Sequence, residues 1–253
     1  MPAARSSEAL SAQAHRVSGT CWRIVEGQHH VSTLALVDSL DEQRRLEELI
    51  EATKPTLPVE CRDLHYLLST PFRYRPYPHG SRFRRAGSMA GVFYAAAAVE
   101  TGVAEAAFYR LLFFAESPAT PWPANPSQHT AFSVRYGSAR AIDLTRPPLA
   151  RRRSRWMHPT DYAPCQALAD RARAAGLEII RFSSVRDPEH KPNVALLTCR
   201  AFRAKAPADT QSWRIRLGAT GVQAVREFPR ASLEFGRDAF AADARIADFR
   251  WDR

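Results

Sequence analysis

Acid is in short supply in this chain. Only 26 of its 253 residues are Asp or Glu against 36 Lys and Arg, which leaves a formal net charge of +10. That excess says nothing about fold, but it favours polyanions, phosphate-bearing ligands or an acidic protein partner. Cysteine is scarce too, with Cys21, Cys61, Cys165 and Cys199 scattered and no C-x-x-C spacing. The spacing speaks against a zinc site, and the four read as reduced thiols rather than a disulfide frame. Long apolar runs are missing. The stretch "AEAAFYRLLFFA" is too short to cross a bilayer and carries two charges. The first twenty residues hold no continuous apolar segment, so no signal peptide is expected, and the cytoplasm is the expected compartment.

What is present suits a globular protein. Apolar residues make up 45% and charged residues 25% of a chain long enough to bury a full core. Residues 1–20 read as a flexible tail, and 21–253 as one domain. Extended chain is predicted near Trp22 to Val25. Ser39 and Glu42 offer a capping box before a helix that runs to about Thr53 and stops at Lys54-Pro55. A second short helix is predicted in "ECRDLHYLLS", so that a helical stretch occupies about residues 40–68. Pro71 to Gly91 is loop-like and holds Arg73, Arg75, Arg82, Arg84 and Arg85. Next come a short strand at "VFYAA", a buried helix from Glu100 to Ala115, and strands at "AFSVRY" and "ARAIDL". Thr160 is a candidate cap for a helix with Pro164 in its first turn and Gly176 just past its end. "LEIIRFS", "NVALLTCRAF" and "QSWRIRL" read as strands. Strands outnumber helices without regular βαβ alternation, which predicts a single α+β domain.

One feature asks for chemistry. Glu105 lies inside the apolar helix, on one face with Thr101, Phe108, Tyr109 and Leu112. Between Gly102 and Ala115 the other charge is Arg110, roughly 140° around the helix and badly placed to pair. A buried carboxylate left alone is costly, so a distant partner or a ligand must meet it. One reading is an ion pair with an arginine from another element. The other sets Glu105 in a pocket facing the glycine-punctuated loop "GSRFRRAG". Backbone amides and the forks of Arg82 or Arg84 would there suit a phosphate, and Tyr94 would offer a flat aromatic wall. A phosphate grip, an aromatic wall and a solitary carboxylate suit a nucleotide whose glycosidic bond is cleaved, because a fixed carboxylate stabilises an oxocarbenium-like ribose. Nicotinamide leaves NAD without needing a proton, so one acid suffices.

Three blocks, "GSRFR", "VFYAAAAVETGVAEAAFYR" and "GLEIIRFSSVRDPEHKPNVALL", occur in an order that resembles the RES-domain family, over roughly residues 20 to 203. The resemblance implies a fold like the ADP-ribosyltransferases, with two packed β-sheets and flanking helices. It implies an NAD-consuming enzyme, either an NAD phosphorylase or glycohydrolase or an ADP-ribosyltransferase acting on a protein. It further implies the toxin of a toxin–antitoxin pair, with NAD as substrate, no metal, and an Xre-type antitoxin as partner. By the same resemblance Arg23, Glu105 and Ser184 are the arginine, glutamate and serine of the family name, with Arg82 and Tyr94 at further NAD-contacting positions. Two features depart from the family pattern. The helices over about 40–68 intervene between Arg23 and the loop, and the loop reads "GSRFR" in place of the commoner "GGRWN".

Other readings stand beside these. Arg23 is either a pyrophosphate contact or a strand arginine in a salt bridge. Ser184 is either a turn hydroxyl bonding backbone or a group that bonds ribose or orients Glu105. Gln28, His29 and His30 invite a metal reading, but adjacent residues on extended chain point to opposite faces. Phe108 and Tyr109 read as core. "PFRYRPYPHGSRFRR" and the run Arg151 to Arg155 interleave arginines with aromatics as single-strand nucleic-acid binders do, although no helix-turn-helix, RRM or KH pattern accompanies them. A third option is an inactive module that docks an acidic partner.

Overall fold

The computed structural model describes residues 8–27, 32–73, 75–76 and 78–251. Eight strands lie in one hydrogen-bonded sheet: β1 (His15–Glu26), β2 (Phe93–Ala96), β3 (Ser127–Asp143), β4 (Ile179–Ser183), β5 (Pro192–Leu196), β6 (Thr210–Gly218), β7 (Gly221–Arg226) and β8 (Ala231–Gly236). The three helices longer than a few turns are α1 (Leu40–Thr53), α2 (Val99–Ala115) and α3 (Ala163–Ala174). The chain is an α+β domain, as its pattern predicts.

β3 organises the sheet. Its first residues pair antiparallel with β6, its last three pair parallel with β4, and β1 runs antiparallel along nearly its whole length. Since β1 also meets β2 at Trp22↔Ala96, and β2, β5 and β4 are neighbours, five strands close into a ring. The two packed sheets expected from the sequence are therefore joined through β3, with β6, β7 and β8 continuing outward as a meander. "AFSVRY" and "ARAIDL" are parts of this one long strand.

Alternation assigns side chains to separate cores. Phe93, Val194, Leu196 and Ile179 pack inside the ring with Cys21, Phe132 and Val134. Their neighbours Ala195 and Ile180 turn outward under α3, against Leu168, Ala169 and Ala172. Burial on both faces explains why these strands read as unbroken apolar runs. α2 is buried on the remaining side by Trp213, Ile215 and Val222 of the meander. Its approach to β1 is close, because a Cβ on Gly102 would come within 3.1 Å of the Ile24 side chain.

Several expectations change. The tail predicted to residue 20 already enters the sheet at His15, because residues from Val17 on pair with β3. Ser39 caps α1 by accepting from the Glu42 amide, but Glu42 reaches the Asp38 amide rather than closing the box on Ser39. α1 buries none of its residues, and the second predicted helix shrinks to the single turn Tyr66–Ser69. α3 is preceded by Tyr162 rather than capped by Thr160, while Pro164 and Gly176 sit where expected. Cys61 and Cys199 are joined as a disulfide with their Cα atoms 5.5 Å apart, so the reading of four reduced thiols is corrected. A pairing across 138 residues has no local spacing to betray it. No helix among the described residues is long and apolar enough to cross a membrane.

Candidate active site

Three elements converge on Glu105. α2 carries it, half-buried, over the outer face of the sheet. β4 ends at Ser183, and Ser184 begins a tight turn in which its hydroxyl accepts from the amides of Arg186 (3.1 Å) and Asp187 (2.9 Å). Those two donors fix the hydroxyl's remaining proton, which Ser184 Oγ donates to Glu105 Oε1 at 2.5 Å. β5 supplies Asn193, set opposite Phe182 of β4 and Ala96 of β2, whose Nδ2 donates to the same oxygen at 2.8 Å. The amide orientation follows from the partner, since the reverse would set two oxygens against each other. Asn193 Oδ1 is then buried without a hydrogen bond. Glu105 Oε2 makes no hydrogen bond, and Glu105 makes no ion pair, among the described residues. One oxygen is held by two neutral donors and the other is open.

The turn beneath Ser184 is clamped on both sides. Thr101 Oγ1, one turn before Glu105 on α2, donates to Asp187 Oδ2 at 2.8 Å. Arg186 is buried, with Nη1 2.7 Å from Asp243 Oδ2, Nη2 2.6 Å from the Pro159 carbonyl and its guanidinium 3.8 Å from the Phe108 ring centroid. His190 closes the turn in the left-handed region, φ 54°, with Nδ1 2.9 Å from the Ser184 carbonyl. A carbonyl only accepts, so that bond requires the proton on Nδ1 and leaves Nε2 available.

The other predicted residues are placed as follows. Tyr94 shares the sheet face of Ala96 and Asn193, but its hydroxyl is taken by Ser81 Oγ and the Phe83 amide, both at 2.8 Å. Burial pushes its pKa up, and those hydrogen bonds offset the rise in part. Arg82 is buried and donates to the carbonyls of Trp156 (2.8 Å) and His158 (3.1 Å) while stacking 4.7 Å over Tyr162. Arg84 likewise serves the carbonyls of Ser88 and Arg75. Both forks hold the loop in shape. Arg23 faces Phe132 across β1 and β3, lies 5.1 Å over Phe93 and donates to the Tyr94 carbonyl at 2.8 Å. Its neighbours Trp22 and Ile24 turn the other way, towards α2. Arg23 therefore sits on the face of the sheet opposite to Glu105 and Ser184. Gln28, His29 and His30 lie outside the described residues.

Two residues of the site were not read as such from the sequence. Asn193 stands at the head of the quoted "NVALL" strand, and the strand register alone brings it to Glu105. Tyr109, read as core, is 54% exposed. Although much of the side chain is exposed, protein atoms crowded around its hydroxyl push the phenol above its ordinary value, with the Glu105 carboxylate and Tyr162 adding to the rise and Arg186 and Arg82 opposing it. Beside these groups lies a cavity of about 270 Å³, walled by Phe108, Met157, Val185 and Phe240, with Arg153 and His190 also lining it. It abuts the Ser184 turn without including Glu105.

A carboxylate anchored through one oxygen by a serine and an asparagine, in an α+β domain with a closed strand ring, defines a protein built to hold an acid in one orientation beside an open space. The RES domain family matches residues 57–218, over half of the chain, and the protein belongs to that family. The match takes in Arg82, Tyr94, Glu105, Ser184 and Asn193 but begins after Arg23. No curated protein matches the sequence. Among solved structures, the M. tuberculosis MbcT–MbcA toxin–antitoxin complex is similar at 13% identity with a TM-score of 0.47, covering 81% of this chain and 89% of that one.

Proposed function

We propose that the protein cleaves the nicotinamide–ribose bond of NAD, with Glu105 as the group that stabilises the transition state. The observation that carries this reading is the asymmetry of that carboxylate, with Oε1 held by Ser184 and Asn193 and Oε2 open. As the C–N bond breaks, its electron pair leaves with nicotinamide, whose pyridinium nitrogen becomes neutral and needs no proton. Positive charge appears on the ribose, and a carboxylate already oriented by its two donors meets it without reorganising. Water or inorganic phosphate then attacks the ribose carbon, giving ADP-ribose with release of a proton in the first case and a ribosyl phosphate in the second. A protein side chain in the same place would make the reaction an ADP-ribosyl transfer.

Ser184 acts as a positioning group rather than a nucleophile, because its hydroxyl accepts two amides and spends its proton on Glu105. Family membership supports the further reading that this is the toxin of a toxin–antitoxin pair, acting on cytoplasmic NAD and restrained by an Xre-type antitoxin. The test is nicotinamide release from NAD. Glu105→Gln, which keeps the shape and removes the charge, is expected to lose about 10²- to 10³-fold in kcat. Full activity in that variant would rule out the carboxylate's role.

A further inference from the structure

The 270 Å³ cavity and the arginines beside it have no part in the chemistry above. Resting on the reading of NAD as substrate, we propose that this cavity is the subsite for the adenylate half of the dinucleotide, with Arg153 binding its phosphate.

Size comes first. Pockets for small molecules run from about 300 to 1,000 Å³, and a cavity of about 270 Å³ lies just under that range, so it seats at most one half of NAD and not the whole. Position then decides which half. The reacting ribose must reach Glu105, and Glu105 does not line the cavity, whereas Val185, next to Ser184, and Phe108, one turn beyond Glu105, do. The half seated in the cavity is therefore the one that does not react.

The lining fits that half. Phe108 and Phe240 meet edge to face at 5.7 Å and are themselves buried, so with Met157 they give the cavity an apolar wall. The buried charges there are already matched, since Arg186 pairs with Asp243. Arg153 is different. It is exposed, and its side chain has no ion pair or hydrogen bond among the described residues, which also holds for its neighbours Arg151, Arg152 and Arg155. A guanidinium fork left free at the edge of an apolar-walled cavity suits a phosphate. His190 adds a ring nitrogen, Nε2, able to accept from a ribose hydroxyl, and its left-handed backbone is held in place by the bond to Ser184. Phe240 and Asp243 lie beyond the stretch matched by the family, so this subsite is partly built by the C-terminal segment of this chain.

The experiment compares NAD with nicotinamide mononucleotide, which carries the same scissile bond but no adenylate. Loss of a charged contact to phosphate is worth roughly tenfold in binding. Arg153→Ala and Arg153→Glu are exposed changes, and each is expected to lower the preference for NAD, as the ratio of the two kcat/KM values, about tenfold or more. AMP is expected to inhibit competitively against NAD and to bind correspondingly more weakly to both variants. An unaltered ratio, or equal losses on both substrates, would overturn the assignment. Should the wild-type protein cleave neither substrate, the enzymatic reading fails by itself. Calorimetric titration with AMP then decides the subsite, with saturable binding weakened in Arg153→Glu supporting it and no saturable binding overturning it.

Discussion

Glu105 Oε1 takes two neutral donors, and that choice matters more than their number. A salt bridge to a buried arginine would hold the carboxylate as firmly but would cancel the charge that the proposed reaction uses. Ser184 and Asn193 fix the direction of the group and leave its charge available. Ser184→Ala and Asn193→Ala are each expected to slow nicotinamide release about ten- to a hundredfold, chiefly in kcat. The double variant should fall well short of the product of the two losses, because either one alone already frees the carboxylate to turn. Fully multiplicative losses would show that the two donors do not share one task. How much of this could be read in advance depends on each residue's partners. Glu105 is legible because it is the one acid past the first turn of an apolar helix, and Ser184 because its strand ends there. Asn193 is not, since its contact exists only through the pairing of β5 with β4 and β2. Arg82 is a phosphate candidate in the sequence, while in the structure its fork donates to the Trp156 and His158 carbonyls, and no local pattern shows where a distant carbonyl will lie.

Among the elements, the C-terminal segment has the least obvious role. β6 is legible as an alternating strand, but β8 buries none of its residues, so hydrophobic patterning has little to act on there. Beyond it, Asp243 is almost wholly buried and pairs with Arg186 and Arg245, tying the segment to the turn that aims Ser184. Burial alone would raise the Asp243 pKa. Hydrogen bonds from the Arg245 side chain and amide, with the charges of Arg186 and Arg245, outweigh it and hold the carboxyl below its ordinary value. A folded value below the unfolded one, about 3.9, means that this stabilisation is complete above that pH. It is lost as the pH falls through the folded value. Asp243→Asn leaves Arg186 buried without its counter-charge, and the cost at pH 7 is expected to be about 3–5 kcal/mol in denaturant unfolding. The gap between wild type and variant should narrow towards pH 2–3. A gap that stays constant with pH would mean that the ionised carboxylate is not what holds the turn.

The charge and covalent frame of the whole molecule also bear on function. A net charge of +10 invites a nucleic-acid reading, yet the arginines of the 71–91 loop are largely turned to other work. Arg73 bonds Glu51 and the Pro55 carbonyl, Arg75 the Thr53 carbonyl, and Arg82 and Arg84 further carbonyls. Arg73 and Arg75 pin the loop to the α1 region, and Arg82 and Arg84 hold the loop itself, instead of lining a groove for a strand. The same region is crossed by the Cys61–Cys199 disulfide, which ties the turn after α1 to the turn after β5 from inside the ring core. A link between residues 138 apart closes a long loop in the unfolded chain, and such links are typically worth about 2–4 kcal/mol. Cys61→Ser is therefore expected to lower stability by about that amount, and prolonged incubation with a thiol reductant should bring the wild-type protein to the same unfolding midpoint. Both half-cystines are buried, so the reductant acts only on opened molecules and its effect should develop slowly. Because the link touches neither Glu105, Ser184 nor the 270 Å³ cavity, nicotinamide release well below the midpoint should survive its loss. If the midpoint ignores both the reductant and the substitution, the two thiols are not joined in solution, and the α1 region is held without a covalent link.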